Sequence, residues 1–233
     1  MTGPDDISDR LLQQSAWWHS LAASQQEKVR AELLTKVFPT NAAVCIKGDP
    51  VDFWPGVASG LLKICTTDIH GRAATLMGVP SGGWFGEGSL LKNEPRRYDA
   101  IALRESTVVM MTRSCFSWLL DNSIGFNRFI LLQINERLGQ FIGSVEYQRL
   151  LTPEGRLART LAQMFNPLLF PGVDLTLSFS QLELGQLSGL SRQRINQALR
   201  ELEEAGLIEV QYGSVVVKSV EGLRYYPEDI PSG

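Results

Sequence analysis

The chain has 233 residues, enough for one large domain or two smaller ones with real cores. Hydrophobic content of 44% with 20% charged residues points to a soluble globular protein, and no apolar run is long enough to span a bilayer. The formal charge of −3 excludes a broad electrostatic grip on nucleic acid, and three scattered cysteines (Cys45, Cys65, Cys115) fit a reducing compartment better than a disulfide scaffold.

The opening MTGPDDISDR is acidic and polar and lacks the pattern of a secretory signal, so a cytoplasmic location is expected. Residues 9–38 are expected to be helical and to bury Leu11, Leu12, Trp17, Trp18, Leu21, Val29, Leu33 and Leu34. Pro39-Thr40-Asn41 ends that region. From residue 42 to about 112, short β-rich runs alternate with turn signals: 43–46, 56–58, 61–66, 73–79, 98–103 and 107–111. Regular short strands punctuated by Gly and Pro predict a β-sandwich or roll.

Residues 114–120 read as a short helix and 122–150 as one long helix, roughly 40 Å at 1.5 Å per residue. Leu131, Ile134, Leu138, Phe141 and Val145 recur at alternating steps of three and four. That is the a/d seam of a two-stranded coiled coil, so this helix is expected to pair two copies of the chain. A second stripe, Phe129, Ile130 and Ile142, is left to pack on the chain's own β-roll. Thr152 and Pro153 start a new helix as cap and first residue, a junction at which domains would hinge.

Residues 180–202, SQLELGQLSGLSRQRINQALREL, read as two short helices and a tight turn. Ser180 with Glu183 is a capping box, and Leu182, Leu184 and Leu187 supply the first helix's apolar face. Gly189 makes the turn, and Ser191 caps the second helix. Ile195, Ala198, Leu199 and Leu202 form its buried face. The opposite face carries Arg192, Gln193, Asn196 and Gln197, flanked by Arg194 and Arg200, side chains suited to base edges and phosphates. Runs at 208–210 and 214–218 around Tyr212-Gly213 predict a small hairpin, the wing of a winged helix-turn-helix. Residues 151–233 hold 7 Lys and Arg against 10 Asp and Glu, a net −3, yet 191–200 carry three arginines and no acid, so a cationic footprint would be local. Ser180, Ser191, Arg194, Tyr212 and Gly213 are candidate phosphate contacts. The tail, 225–233, is expected to be mobile unless Tyr225 and Tyr226 pack on the wing.

The order of β-roll, long helix and winged helix-turn-helix resembles the Crp/Fnr family of bacterial transcription regulators over nearly the whole chain. LSRQRINQALRELEEAGLIEV is similar to the family's recognition helix and wing entry, and GWFGEGSLLKNEPRR, residues 83–97, to its phosphate-binding cassette. The resemblance implies an α+β protein in three parts. A cyclic-nucleotide-binding-like sensor, a double-stranded β-roll of the cupin or jelly-roll kind with N-terminal helices, would occupy residues 1–121. A dimerisation helix would occupy 122–150, and a winged helix-turn-helix DNA-binding domain 151–233. It further implies double-stranded DNA, a second copy of the chain and RNA polymerase as partners, no membrane, and control by an effector where the roll meets the long helix.

Gly86, Glu87, Gly88 and Ser89 would form the effector cradle, with an arginine on the phosphate. Spacing from Glu87 favours Arg97, whereas the register of Ala102-Leu103 favours Arg96. Gly88 replaces a leucine of the family pattern, and the slots of its adenine-contacting Thr-Ser pair hold Phe141 and Ile142. An apolar pair there argues against cyclic AMP and leaves the effector open among other cyclic nucleotides and anions. No cysteine precedes Cys45, and His19 and His70 are the only histidines, so neither an iron–sulfur cluster nor haem is expected. No nucleophile–base pair or metal-spaced cluster suggests an enzyme. Arg192 would read a guanine. Gln193 and Gln197 stand where the best-known cyclic-AMP-responsive members carry Glu and Arg, so they would favour a more A·T-tolerant half-site. Two other readings use the same residues: a constitutive DNA binder with a lapsed pocket, and a small-ligand signalling module whose winged helix contacts protein.

Overall fold

The computed structural model describes residues 4–227. The chain forms two compact units. One runs up to Arg137 and includes Pro167–Gly172; the other comprises Leu138–Asn166 and the chain from Val173 onward.

The first unit begins with α1 (Pro4–Gln14), a single 3-10 turn (Trp18–Ser20) and α2 (Ala23–Ala31). Strands β1 (Leu33–Phe38), β2 (Ala43–Cys45), β3 (Phe53–Ser59), β4 (Leu61–Thr67) and β5 (Ala73–Pro80) follow. A short helix α3 (Glu87–Lys92) precedes β6 (Asp99–Ala102), β7 (Ser106–Thr112), α4 (Arg113–Asn122) and α5 (Ile124–Leu150). The strands make two antiparallel sheets, ordered β1-β7-β3 and β2-β6-β4-β5, and β3 also touches β5. The β-roll expected from the turn spacing is therefore present.

Two expectations for this part are corrected. Residues 9–38 are not helical throughout: Leu33 and Leu34 lie on β1, and Leu34 is exposed. The reason is a partner strand. β1 pairs with β7 from Leu33↔Met111 to Phe38↔Ser106, and that ladder satisfies the backbone of a Leu-Leu-Thr-Lys-Val-Phe run whose residues also suit a strand. The long helix starts at Ile124 rather than 122, because Ser123 is extended (φ −137°) and its hydroxyl accepts the Phe126 N–H at 3.2 Å.

The core of this unit is aromatic. Trp54 and Trp84 stack at 4.5 Å, and Trp17 meets Trp84 and Phe126 edge-on at 5.5 Å each. Gly56 permits this, since a Cβ there would fall 2.6 Å from the Trp84 ring. The Trp84 indole donates to Ser15 Oγ at 2.8 Å, and Ser15 donates to the Leu11 carbonyl at 2.7 Å. Trp84 sits between β5 and α3, so this cluster anchors the loop that leads into the cassette. Cys65 and Cys115 are buried and Cys45 half-buried; burial pushes the Cys115 thiol up to about 12. Phe129 and Ile130 are buried as expected, but Ile142 is exposed, because it lies beyond Arg137 where the helix leaves this unit.

The second unit contains the remainder of α5, α6 (Pro153–Gln163), β8 (Thr176–Leu177), α7 (Gln181–Ser188), α8 (Arg192–Glu204), β9 (Ile208–Gln211), β10 (Ser214–Val217) and α9 (Val220–Tyr225). Thr152 caps α6, accepting the Gly155 N–H, and α6 packs on α7, α8 and α9. The three-stranded sheet runs β8-β10-β9. The tail differs from expectation. Tyr225 ends a helix that packs on α6 rather than on the wing, because Leu223 is inserted into the core; residues 228–233 lie outside the described part. No helix among the described residues is long and apolar enough to cross a membrane.

Candidate nucleic-acid interface and effector cavity

The helix pair of the second unit is built by its caps. Ser180 Oγ accepts the Glu183 N–H at 3.2 Å, and the Glu183 carboxylate accepts the Ser180 N–H at 2.5 Å. Gly189 closes α7 in the left-handed conformation (φ +68°), and Ser191 Oγ then accepts the Arg194 N–H at 3.4 Å to start α8. Ile195, Ala198, Leu199 and Leu202 are all buried. Ser180→Ala is expected to lower unfolding stability by about 1 kcal/mol, measured by denaturant titration, since the hydroxyl is lost while the helix remains.

Burying that stripe leaves Arg192, Gln193, Arg194, Gln197 and Arg200 exposed, with Asn196 half-buried. Gln197 donates to Glu201 at 2.9 Å. The hairpin β9–β10 is tied to α8 where Glu203 accepts the Val210 N–H at 2.7 Å, and it carries Tyr212 at its tip, fully exposed beside Gly213. Leu182 is not on the buried face as expected but 70% exposed. It lines a groove of about 750 Å³ between the start of α7, Arg192 and the hairpin.

The first unit holds a cavity of about 540 Å³ over the start of α3. Gly86, Glu87, Gly88, Ser89 and Arg97 line it, together with residues that sequence reasoning missed: Leu91, Lys92, Glu94, Tyr98, Ile134 and Arg137. The structure separates the two candidate arginines. Arg96 is buried; its guanidinium donates to the carbonyls of Gly86 (3.3 Å) and Phe53 (2.5 Å), and it lines a different cavity of about 110 Å³. Gly86 has φ +86°, and a Cβ there would sit 2.2 Å from Arg96 Nη1, so Arg96 braces the turn into α3. Arg97 is exposed to the cavity and held by Glu94 at 3.0 and 2.6 Å.

Glu94 also meets Lys92 at 2.6 Å, and hydrogen bonds from Arg97 and then Lys92 hold its carboxyl down at about 2. A carboxyl depressed in this way stays ionised as pH falls from 7 until about 2, so the Arg97 pair persists through mild acid. Glu87 is buried and accepts from Arg137 Nε at 3.1 Å; its other oxygen has no partner among the described residues. Arg137 also donates to the Trp84 carbonyl. Burial, followed by the Glu87 charge, pushes the Tyr98 hydroxyl above the ordinary phenol range, so it keeps its proton. Leu131, Ile134, Leu138, Phe141 and Val145 are all exposed along α5.

Residues 35–123 match the cyclic nucleotide-binding domain family, and residues 155–226 match the Crp-like helix-turn-helix domain family. The CRP-like cAMP-activated global transcriptional regulator of Mycobacterium tuberculosis is 26% identical over 219 residues, spanning 92% of this chain and 97% of that protein. The cyclic AMP receptor protein of Thermus thermophilus is 24% identical over 210 residues, spanning 90% and 95%. Among solved structures, FixK2 from Bradyrhizobium japonicum superposes with a TM-score of 0.69 at 17% identity, covering 82% of this chain and 95% of that one, a likeness of fold.

Proposed function

Because the chain belongs to the Crp/Fnr family of DNA-binding transcription regulators, we propose that it works as a homodimer whose operator affinity is set by an anionic effector in the α3 cavity. The observation that carries the DNA half is α8. A capped helix with one buried stripe presents an uninterrupted outer face of Arg192, Gln193 and Gln197, flanked by Arg194. In this reading Arg192 forks onto a guanine, Gln193, Asn196 and Gln197 read neighbouring bases, and Ser180, Ser191, Arg194, Tyr212 and Gly213 meet phosphates. Two such helices would enter successive major grooves ~34 Å apart. We assign sensing to residues 1–121, pairing to 122–150 and DNA binding to 151–233, in a cytoplasmic protein that engages RNA polymerase when bound at a promoter.

The effector class is a cyclic nucleotide, supported by the domain match and by an arginine and a buried carboxylate lining one cavity. Arg97 takes the phosphate, Arg96 serves as its scaffold, and the backbone of Gly88 and Ser89 completes the cradle. Glu87, oriented by Arg137, accepts from a ribose hydroxyl. Base choice does not run through hydrogen bonds at Phe141 and Ile142, which have none to offer. A titration of DNA from the gene's own upstream region, with and without cyclic AMP and cyclic GMP, tests this. Affinity that rises with one nucleotide upholds it; specific binding indifferent to both removes these two nucleotides as effectors and favours the constitutive regulator.

Glu94 makes a further prediction. Its carboxylate occupies Arg97 as an internal anion, so an incoming phosphate must displace it. Glu94→Gln is expected to tighten cyclic-nucleotide binding about two- to fivefold, read by calorimetry, a modest gain because the pair is exposed.

A further inference from the structure

We propose that the second unit carries a separate oxyanion site, for phosphate or a small phosphomonoester, in a cavity among α5, α6 and α9. The cavity is about 320 Å³ and is lined by Gln140 and Tyr147 of α5, Arg159 and Gln163 of α6, and Arg224 and Tyr225 of α9. Arg159 is the decisive residue. It is only 9% exposed, yet its Nε and Nη1 have no hydrogen-bond partner among the described residues. A buried guanidinium without acceptors is costly, and native interiors resolve such groups with a partner. The guanidinium centre lies over the Tyr147 ring, 5.6 Å from its centroid, a cation–π contact that leaves Nε and Nη1 without an acceptor.

The rest of the lining points to an anion. It holds a second guanidinium, Arg224, and no Asp or Glu. Arg224 is paired at the rim with Glu221 at 3.3 Å, an exposed contact that an incoming dianion could share. The cavity floor is already ordered: Gln140 donates to the Gln163 carbonyl at 3.2 Å, and Gln163 returns a bond to the Gln140 carbonyl at 3.3 Å. The volume, at the lower end of small-molecule pockets, accommodates a phosphate bearing a small organic group. Gln140 and Tyr147 lie seven residues apart, nearly eclipsed, and roughly 180° around α5 from Leu138. Pairing of two chains through the Leu138 row therefore leaves the cavity open. An anion here would fasten α5 to α6 across the residue 151–152 junction and hold α9 in place.

The test is thermal unfolding of the full chain in orthophosphate against chloride at equal ionic strength, with glycerol phosphate in a parallel arm. A melting-temperature rise of about 3–6 °C at ten times the dissociation constant is expected. Arg159→Met should lose the rise while melting in chloride at or above the native temperature, since it removes an unpaired buried charge and keeps the volume. Arg224→Gln, on the rim, should weaken it with the fold intact. A larger rise with glycerol phosphate assigns a phosphomonoester, and equal rises assign phosphate itself. Absence of any phosphate-specific rise overturns the proposal. So does a rise that survives Arg159→Met but disappears in Arg97→Gln, which would place the anion over α3 instead.

Discussion

Arg192→Ala is expected to weaken binding to the cognate operator by about 1–3 kcal/mol per half-site, twice over in a symmetric dimer, with nonspecific binding almost unchanged. Arg192 is the first residue of α8, set immediately after the Ser191 cap, and is exposed with no internal partner among the described residues. Its fork is therefore free to meet two acceptors on one base edge without first breaking a bond in the protein. Gln197 differs, because it must release Glu201 before it can reach a base, so Gln197→Ala should cost less. Arg194→Ala provides the contrast. A phosphate contact carries no sequence information, so its loss should weaken all duplexes alike and reduce the salt slope by about one per subunit. Anisotropy titrations on cognate and scrambled duplexes over a salt series separate the two behaviours. Equal losses on both duplexes for Arg192→Ala would move it from base reading to phosphate contact. The acidic balance of residues 151–233 makes this separation measurable, since three arginines within 191–200 carry most of the local attraction.

What could be read in the sequence was whatever depends on neighbours within a few residues. The Ser180–Glu183 box, the Gly189 stop, the Thr152 cap and the strand spacing of the roll are local, and the structure contains each of them. β1 is the counterexample. Leu33 and Leu34 fit a helical stripe as well as a strand, and only the β7 ladder, more than seventy residues away, decides between them. Arg96 and Arg97 show the same limit at the site. The two lie in the irregular segment between α3 and β6, with a bend at Arg97, and there one arginine enters the interior while the other faces the cavity. Which did which depends on the carbonyls of Gly86, ten residues back, and of Phe53, forty-three residues back on β3. Arg137 was invisible because an arginine between Glu136 and Leu138 reads as ordinary helix surface; its partner Glu87 comes from another element. Leu182 failed for a related reason, since an apolar residue at the start of a helix can face a groove as readily as a core.

Phe141→Glu is expected to abolish dimerisation at micromolar concentration and, through it, to lower operator affinity by more than about 100-fold, because a single recognition helix reads only half of the site. The physical case is the row on α5. Leu131 and Leu138 are 68% and 55% exposed in the isolated chain, and Ile134, Phe141 and Val145 continue the line. A contiguous apolar row of this length is unusual on a monomer surface and fits a partner helix with the same spacing. Phe141 is its largest side chain. In a twofold seam one Glu per chain places two carboxylates in the same desolvated layer, at several kcal/mol per ion, besides the loss of two rings from the interface. Leu132 is the control, since it is as exposed as Leu138 at 55% but lies off the row. Leu132→Glu should therefore elute as a dimer and bind DNA normally, whereas Phe141→Glu should sediment at half the mass while keeping the native helical circular-dichroism signal. A Phe141→Glu chain that remained dimeric would show that the two copies meet through another surface.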